Sequence, residues 1–275
     1  MIPEELSIKR IEKVYQQIKP YINTTPLIKA NKFLDDTLST NIYLKFECFQ
    51  KSGSFKARGA INNILSSDKK DLENGITTVS AGNHAIAASY VANLFKLKNK
   101  IFIYDTANKY RIDRCNQLEA NLKFTDPHNA FKDVQQTSTN EGYYFLHPFD
   151  GPLTLQGTAS LGLEIYNQFN GLDNILISVG GGGLISGIGA IIKQLNPRCK
   201  IIGIEPEGAM GLTESLKVNK PIKNVKLNSI ADSLSSPIHM EYSFNVAKNV
   251  IDQMINVSDQ EMINFMLYAY INLKL

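Results

Sequence analysis

The chain has 275 residues, a formal net charge of +3 and 20% charged side chains, long enough to bury roughly 70–75% of its unfolded surface in one large or two modest domains. Its lysines are spread along the chain, which reads as a solvated surface rather than a nucleic-acid stripe, and no apolar run approaches the ~18 residues needed to span a membrane. Cys48, Cys115 and Cys199 form no CxxC pair and the acidic start at 1–6 lacks the apolar core of a secretion signal, which argues against disulfide scaffolding, structural zinc and export and fits a reducing cytoplasm.

Periodicity predicts a helix near 8–22 and a strand at 42–46. Next comes Lys51-Ser52-Gly53-Ser54-Phe55-Lys56-Ala57-Arg58-Gly59-Ala60. Ser52 and Ser54 are N-cap types and 60–65 continue as an amphipathic helix, so Lys56 falls in or near the first turn. The positive end of the helix dipole, helped by Arg58, disfavours the ammonium form, and a lysine of lowered pKa is what Schiff-base chemistry requires. The alternative for Lys56 alone is an ordinary lysine in a first turn.

A strand at 76–80 then runs into Ser80-Ala81-Gly82-Asn83-His84 and a helix at 85–95. Ser80, Asn83 and His84, with the backbone donors of the turn, suit a carboxylate, and Asn83 also suits a phenolic oxygen. The alternative is a Ser/Asn cap with His84 as a satisfied polar residue. Strands at 100–104, 122–124 and 143–146 alternate with helices at 111–120 and 131–141, the pattern of a mostly parallel sheet covered by helices on both faces. A buried strand at 175–179 leads into Gly180-Gly181-Gly182-Gly183 and a helix ending near 195–197. Four successive N–H groups at a helix start can turn onto an anion. No Lys-Ser/Thr pair closes the loop and no acidic residue awaits a ribose, so a small phosphorylated cofactor fits better than a nucleotide. The alternative is a flexible glycine turn. Ser258-Asp259-Gln260-Glu261 forms a capping box before an apolar helix at 262–271.

In this order the segments resemble the fold-type II pyridoxal-phosphate family of serine/threonine dehydratases, serine racemase and tryptophan synthase β-like enzymes. Lys45-Phe46-Glu47, Gln50, Gly53-Ser54-Phe55-Lys56 and Arg58-Gly59-Ala60 look like its cofactor-lysine motif, Ser80 to His84 like its substrate loop, and Gly180 to Gly183 like its phosphate loop. Thr25-Pro26-Leu27, Gln156-Gly157-Thr158, Gly203-Ile204-Glu205-Pro206 and Ile230-Ala231-Asp232 fall in family order, so the resemblance covers nearly the whole chain.

The resemblance implies a two-domain α/β fold with mostly parallel open sheets: a large domain of 1–74 and 149–275, and a small domain of 75–148. It implies pyridoxal 5'-phosphate bound by Lys56, Phe55, Asn83, Gly180, Gly181, Gly182, Gly183 and Leu184, and a small amino acid held by Ser80, Ala81, Gly82, Asn83 and His84. The Lys56 amine would remove the α-proton of L-threonine or L-serine, and β-elimination would give a 2-oxo acid and ammonia. A cytoplasmic homodimer or self-associating protein is expected, with no nucleic-acid or membrane partner.

Several departures refine these expectations. Racemases carry a serine where this chain has Ala81, whose methyl group supplies no proton to a second face, so elimination is favoured over racemisation. Ser233 replaces a family glycine and is expected to crowd the cofactor or strain a positive-φ turn, and Glu119 stands where a turn glycine is common. Of the family's cation site, Glu205 and the Ala209 carbonyl are candidates, with Gly211 in place of the aspartate. Family members also continue past the point where this sequence stops, supplying a hydroxyl that faces the pyridine nitrogen. The expectation is a truncated chain with an exposed last helix, and the alternative to a working lyase is an impaired, cofactor-binding remnant.

Overall fold

In the computed structural model, which describes residues 1–30, 40–80, 82–126 and 129–274, the chain opens with helix α1 (Ile8–Ile18). Ile11, Val14 and Ile18 fall on one face of α1 and are buried. Strands β1 (Leu27–Lys29) and β2 (Tyr43–Lys45) pair antiparallel and lead to helix α2 (Lys56–Ser66).

The next segment alternates strand and helix: β3 (Ile76–Val79), α3 (Asn83–Leu94), β4 (Asn99–Tyr104), α4 (Lys109–Gln117), β5 (Leu122–Thr125), α5 (Ala130–Glu141) and β6 (Tyr144–Phe145). These strands form one parallel sheet in the order β5-β4-β3-β6. All four residues of β3 are buried, as a central parallel strand covered on both faces must be. Helix α6 (Pro152–Gln168) follows, with proline in its first turn, then β7 (Asn174–Ser178), α7 (Gly183–Leu195), β8 (Lys200–Pro206), α8 (Gly211–Lys217), α9 (Glu241–Val250), β9 (Gln253–Val257) and α10 (Asp259–Tyr268). Strands β7-β8-β9 make a second parallel sheet.

Helix α6 is the hub. Every residue from Thr154 to Ile165 is buried, so the helix is enclosed all round. Small residues let its neighbours approach closely. A Cβ on Gly157 would lie 2.5 Å from the Arg58 carbonyl oxygen and the Gly59 Cα, and one on Gly187 would lie 2.0 Å from Thr158 Oγ1. Helices α2 and α7 are thus pressed onto α6, which brings their N-termini, and with them Lys56 and Gly183, to one cavity.

Among the described residues two large apolar cores result, with a smaller cluster of Val79, Phe102, Ala130 and Val134 beneath α5. One gathers Leu155, Ile185, Ile191 and Ile201 around α6 and α7. The other joins Val14, Ile18 and Ile61 to Ile76, Val91, Ile101 and Leu146, so α1 and α2 share a core with the four-stranded sheet.

The alternation of strand and helix through 145 matches the periodicity within a few residues at each end. Strands β1, β8 and β9 and helices α6, α8 and α9 have no counterpart in the sequence reading. The capping box of Ser258 and Glu261 is formed. Glu119 does adopt a left-handed φ of 57°, whereas Ser233 is absent from the positive-φ residues, so the strain expected there is not present. Among the described residues no helix is long and apolar enough to cross a membrane.

Candidate active site

Lys56 is the first residue of α2. The capping expected from Ser52 and Ser54 is not made: the N-cap is Phe55, the Ser52 hydroxyl donates to the Ser54 carbonyl, and Ser54 Oγ is buried without a partner. Lys56 Nζ donates to the Pro148 carbonyl at 2.5 Å and stands 5.1 Å from the centre of the Phe55 ring. Its pKa is lowered to about 8, in the expected direction but for a different reason. Desolvation of the ammonium is the cause.

Arg58 acts elsewhere. Fully buried, it donates to both Glu47 carboxylate oxygens (2.9 and 2.8 Å) and to Glu164 Oε2 (3.0 Å). Lys45 Nζ reaches Glu164 Oε1 at 2.6 Å, the Thr25 carbonyl at 2.8 Å and Gln168 Oε1 at 2.7 Å. Two cations and two carboxylates cancel, and every ammonium proton has an acceptor. This neutral knot locks the backbone that carries Lys56. Glu164, from α6, was not foreseen from the sequence, because nothing local marks one glutamate in an apolar helix as a partner for two distant cations.

The glycine run lies where β7 turns into α7. Gly182 is the N-cap, with φ 87°. A Cβ on Gly181 would lie 2.3 Å from the Phe149 ring, and one on Gly183 would lie 2.3 Å from the Phe149 carbonyl oxygen. Only glycine fits where the turn passes against Phe149. Four backbone N–H groups at the positive end of a helix form a cradle suited to a phosphate dianion.

On the facing wall, the Ser80 hydroxyl accepts from the Gly82 N–H at 3.1 Å, and Asn83 opens α3 with its side-chain amide free of partners among the described residues. Ala81 lies outside the described residues. His84 Nε2 faces the Leu146 carbonyl at 3.0 Å. A carbonyl only accepts, so Nε2 bears the proton. Burial, with Lys56 adding to it, lowers the imidazole pKa to about 3, leaving a neutral ring whose Nδ1 is an acceptor. His84 therefore anchors its loop and offers a lone pair, rather than the donated proton expected for a carboxylate. His147, beside the site, accepts at Nδ1 from the Phe149 and Asp150 N–H groups and is likewise neutral, its pKa lowered to about 3 mainly by burial.

These parts share one cavity of about 400 Å³. Lys56, Phe55, the four glycines and Leu184 line it, as do Ser80, Gly82, Asn83 and His84. The structure thus gathers every described residue expected at the cofactor and the substrate. It adds Tyr104, Arg111, Phe131, Pro148 and Phe149, which carry no local motif, and the 232–237 segment, whose Asp232 and Ser233 the resemblance marks.

Of the cation candidates, Glu205 is already engaged by protein donors. The fully buried Glu205 carboxylate accepts from the Leu212 and Thr213 N–H groups (2.7 and 2.8 Å) and from Thr213 Oγ1 (2.7 Å), which caps α8. A side chain at Gly211 would meet His239 Nε2 at 2.5 Å, so imidazole fills the space where the family's aspartate would project. Among the described residues no group of three His, Cys, Asp or Glu side chains could hold a metal ion.

A buried amine of lowered pKa and a glycine phosphate cradle on one cavity fit a phosphorylated aldehyde. The family model for pyridoxal-phosphate dependent enzymes matches residues 18–274. The chain belongs to this family.

Relatives place it in the fold-type II branch. Phenylserine dehydratase of Ralstonia pickettii is 37% identical over 260 residues, 94% of this chain and 79% of the relative. A biosynthetic L-threonine dehydratase of Halalkalibacterium halodurans is 32% identical over 97% of this chain and 65% of its own length, just under two thirds. Maize serine racemase superposes with a TM-score of 0.92 at 29% identity, covering 98% of this chain and 82% of the racemase. The pyridoxal-phosphate enzyme described here is of the dehydratase, or lyase, type, and its cofactor is pyridoxal 5'-phosphate.

Proposed function

We propose that the protein is an L-threonine/L-serine dehydratase that releases a 2-oxo acid and ammonia by β-elimination. One observation carries this reading: a lysine amine of lowered pKa shares a cavity with a phosphate cradle and with the Ser80 to His84 loop. The bound cofactor supplies an electron sink that acidifies the substrate's α-hydrogen. Lys56 Nζ, held by the Pro148 carbonyl, is the base at that carbon. The N–H groups of Gly180 to Gly183 hold the phosphate. Asn83 and the turn around Ser80 bind the substrate carboxylate, while neutral His84 fixes the loop through Leu146. In this reading residues 75–148 form a small domain that closes on a large one made of 1–74 and 149–275.

A β-aryl substrate is the second reading. The rings of Tyr104, Phe131 and Phe149 line the cavity, and the relative from R. pickettii is a phenylserine dehydratase. Self-association belongs to the same proposal, in a cytoplasmic setting. Phe265, Met266, Leu267, Tyr270 and Ile271 at the end of the chain are each more than half exposed, an unusual run for a monomer's surface.

The test is to purify the protein with cofactor and follow 2-oxo acid release from L-threonine, L-serine and phenylserine, with D-serine measured alongside. Borohydride reduction and peptide mapping should leave the pyridoxyl mass on Lys56. Label on another lysine, or D-serine as the main product, would overturn the reading.

A further inference from the structure

We propose that Arg111, Asp232 and Ser233 form an interlock across the mouth of the cavity that gates exchange of cofactor and substrate. Arg111 stands on α4, beside the four-stranded sheet. Asp232 and Ser233 stand on a short turn between α8 and α9, 121 residues further along the chain. The guanidinium donates through Nη1 to Asp232 Oδ2 at 2.5 Å and through Nη2 to Asp232 Oδ1 at 2.9 Å. Nη2 also donates to Ser233 Oγ at 2.9 Å, and that hydroxyl donates onward to Asp232 Oδ1 at 3.2 Å. The serine that stands in place of a family glycine is thus the third member of the clasp.

The clasp sits against the substrate loop. A Cβ on Gly82 would lie 3.6 Å from Arg111 Nη1 and 3.8 Å from Ser233 Oγ, and all three clasp residues line the same cavity as Lys56. The Arg111 side chain is 18% exposed and that of Asp232 61%, so the guanidinium lies inside the lip and the carboxylate at its rim. An ion pair this exposed contributes little to stability and is screened by salt, so it can open. Its forked geometry nevertheless selects one closed arrangement whenever it forms. Those are properties of a latch rather than of a permanent strut.

The inference rests on the cofactor reading of the cavity, but it concerns passage, which is measured without turnover. Pyridoxal 5'-phosphate association and release would be followed by stopped-flow fluorescence for the unmodified protein, Arg111→Met, Asp232→Asn and the double variant. Removing a latch raises both rates together and leaves the equilibrium constant nearly unchanged. Both rates are expected to rise about five-fold in each single variant, with the double variant no faster, and 0.5 M salt should bring the unmodified protein to the same rates. Unchanged rates, additive effects, or a change in release alone would overturn the latch. Should the single variants fold poorly, the charge-exchanged pair Arg111→Asp with Asp232→Arg is expected to restore slow exchange, and fast exchange in that folded protein would also overturn it. No cofactor binding at all would sink the cofactor reading and the latch with it, whereas slow binding without turnover would sink only the lyase.

Discussion

At Lys56, function and stability oppose one another. Burial lowers the amine's folded pKa to about 8 from the usual 10.5. The unfolded chain therefore binds the extra proton, and stability contributed at this site is lost as pH falls from about 10.5 to about 8 and stays lost below. Replacing Lys56 with Met should abolish turnover yet raise Tm at pH 7 by about 2–4 °C, the effect of removing roughly 1 kcal/mol of strain from a chain of this size. A calorimetric scan showing a lower Tm would mean that the bond to Pro148 outweighs desolvation. Glu164 presents the reverse case. Its carboxylate serves Arg58 and Lys45 at once, and Glu164→Leu would leave two cations under-paired in the interior. A loss of about 3–5 kcal/mol is expected in urea unfolding, and a loss under 1 kcal/mol would show that water reaches the knot.

Among the elements, the junction of β7 and α7 has the least freedom. Gly183 cannot accept a methyl group without moving the Phe149 backbone, 2.3 Å from its Cβ position. Gly183→Ala is expected to cost about 1–3 kcal/mol and to weaken cofactor binding by about ten-fold, read by fluorescence titration. Gly182→Ala makes a useful contrast. Its nearest neighbour is His239 Nδ1 at 4.0 Å, so only the left-handed φ resists, at about 1 kcal/mol. Equal effects at the two positions would mean that the cradle is governed by backbone conformation and not by the contact with Phe149.

For the whole molecule, three imidazoles are held neutral inside. Burial is the leading cause at His84, His147 and His239, lowering their pKa values from 6.5 to about 3, about 3 and about 4. The unfolded chain takes up protons first as pH falls, so stability from these groups is present above about 6.5 and is lost progressively from there down to about 3–4. Each group alone can impose up to about 1.4 kcal/mol per pH unit within that window. Urea midpoints should therefore drop steeply between pH 6.5 and 4.5, and His239→Gln should make the slope shallower. A flat profile over that range would show that the rings are protonated or solvated in the folded protein.

Local chemistry was enough to read several things from the sequence. The period of two against 3.6 placed the helices and, apart from β1, the strands through 145, and Ser258 with Glu261 announced its own capping box, because each depends on residues a few positions apart. The three motifs around Lys56, Asn83 and Gly180 to Gly183 were legible for the same reason, and their resemblance to one family named the cofactor. Tertiary packing decided the rest. Whether Arg58 or burial tunes Lys56 turns on Glu164, more than a hundred positions away. Whether a side chain could project at position 211 turns on where His239 falls. Ser233 looked like a strained intruder and instead completes a clasp with Arg111, 122 positions distant. Long-range pairing leaves no periodic trace in a sequence, because the partners are chosen by how α2 and α7 pack on α6 and not by their neighbours along the chain.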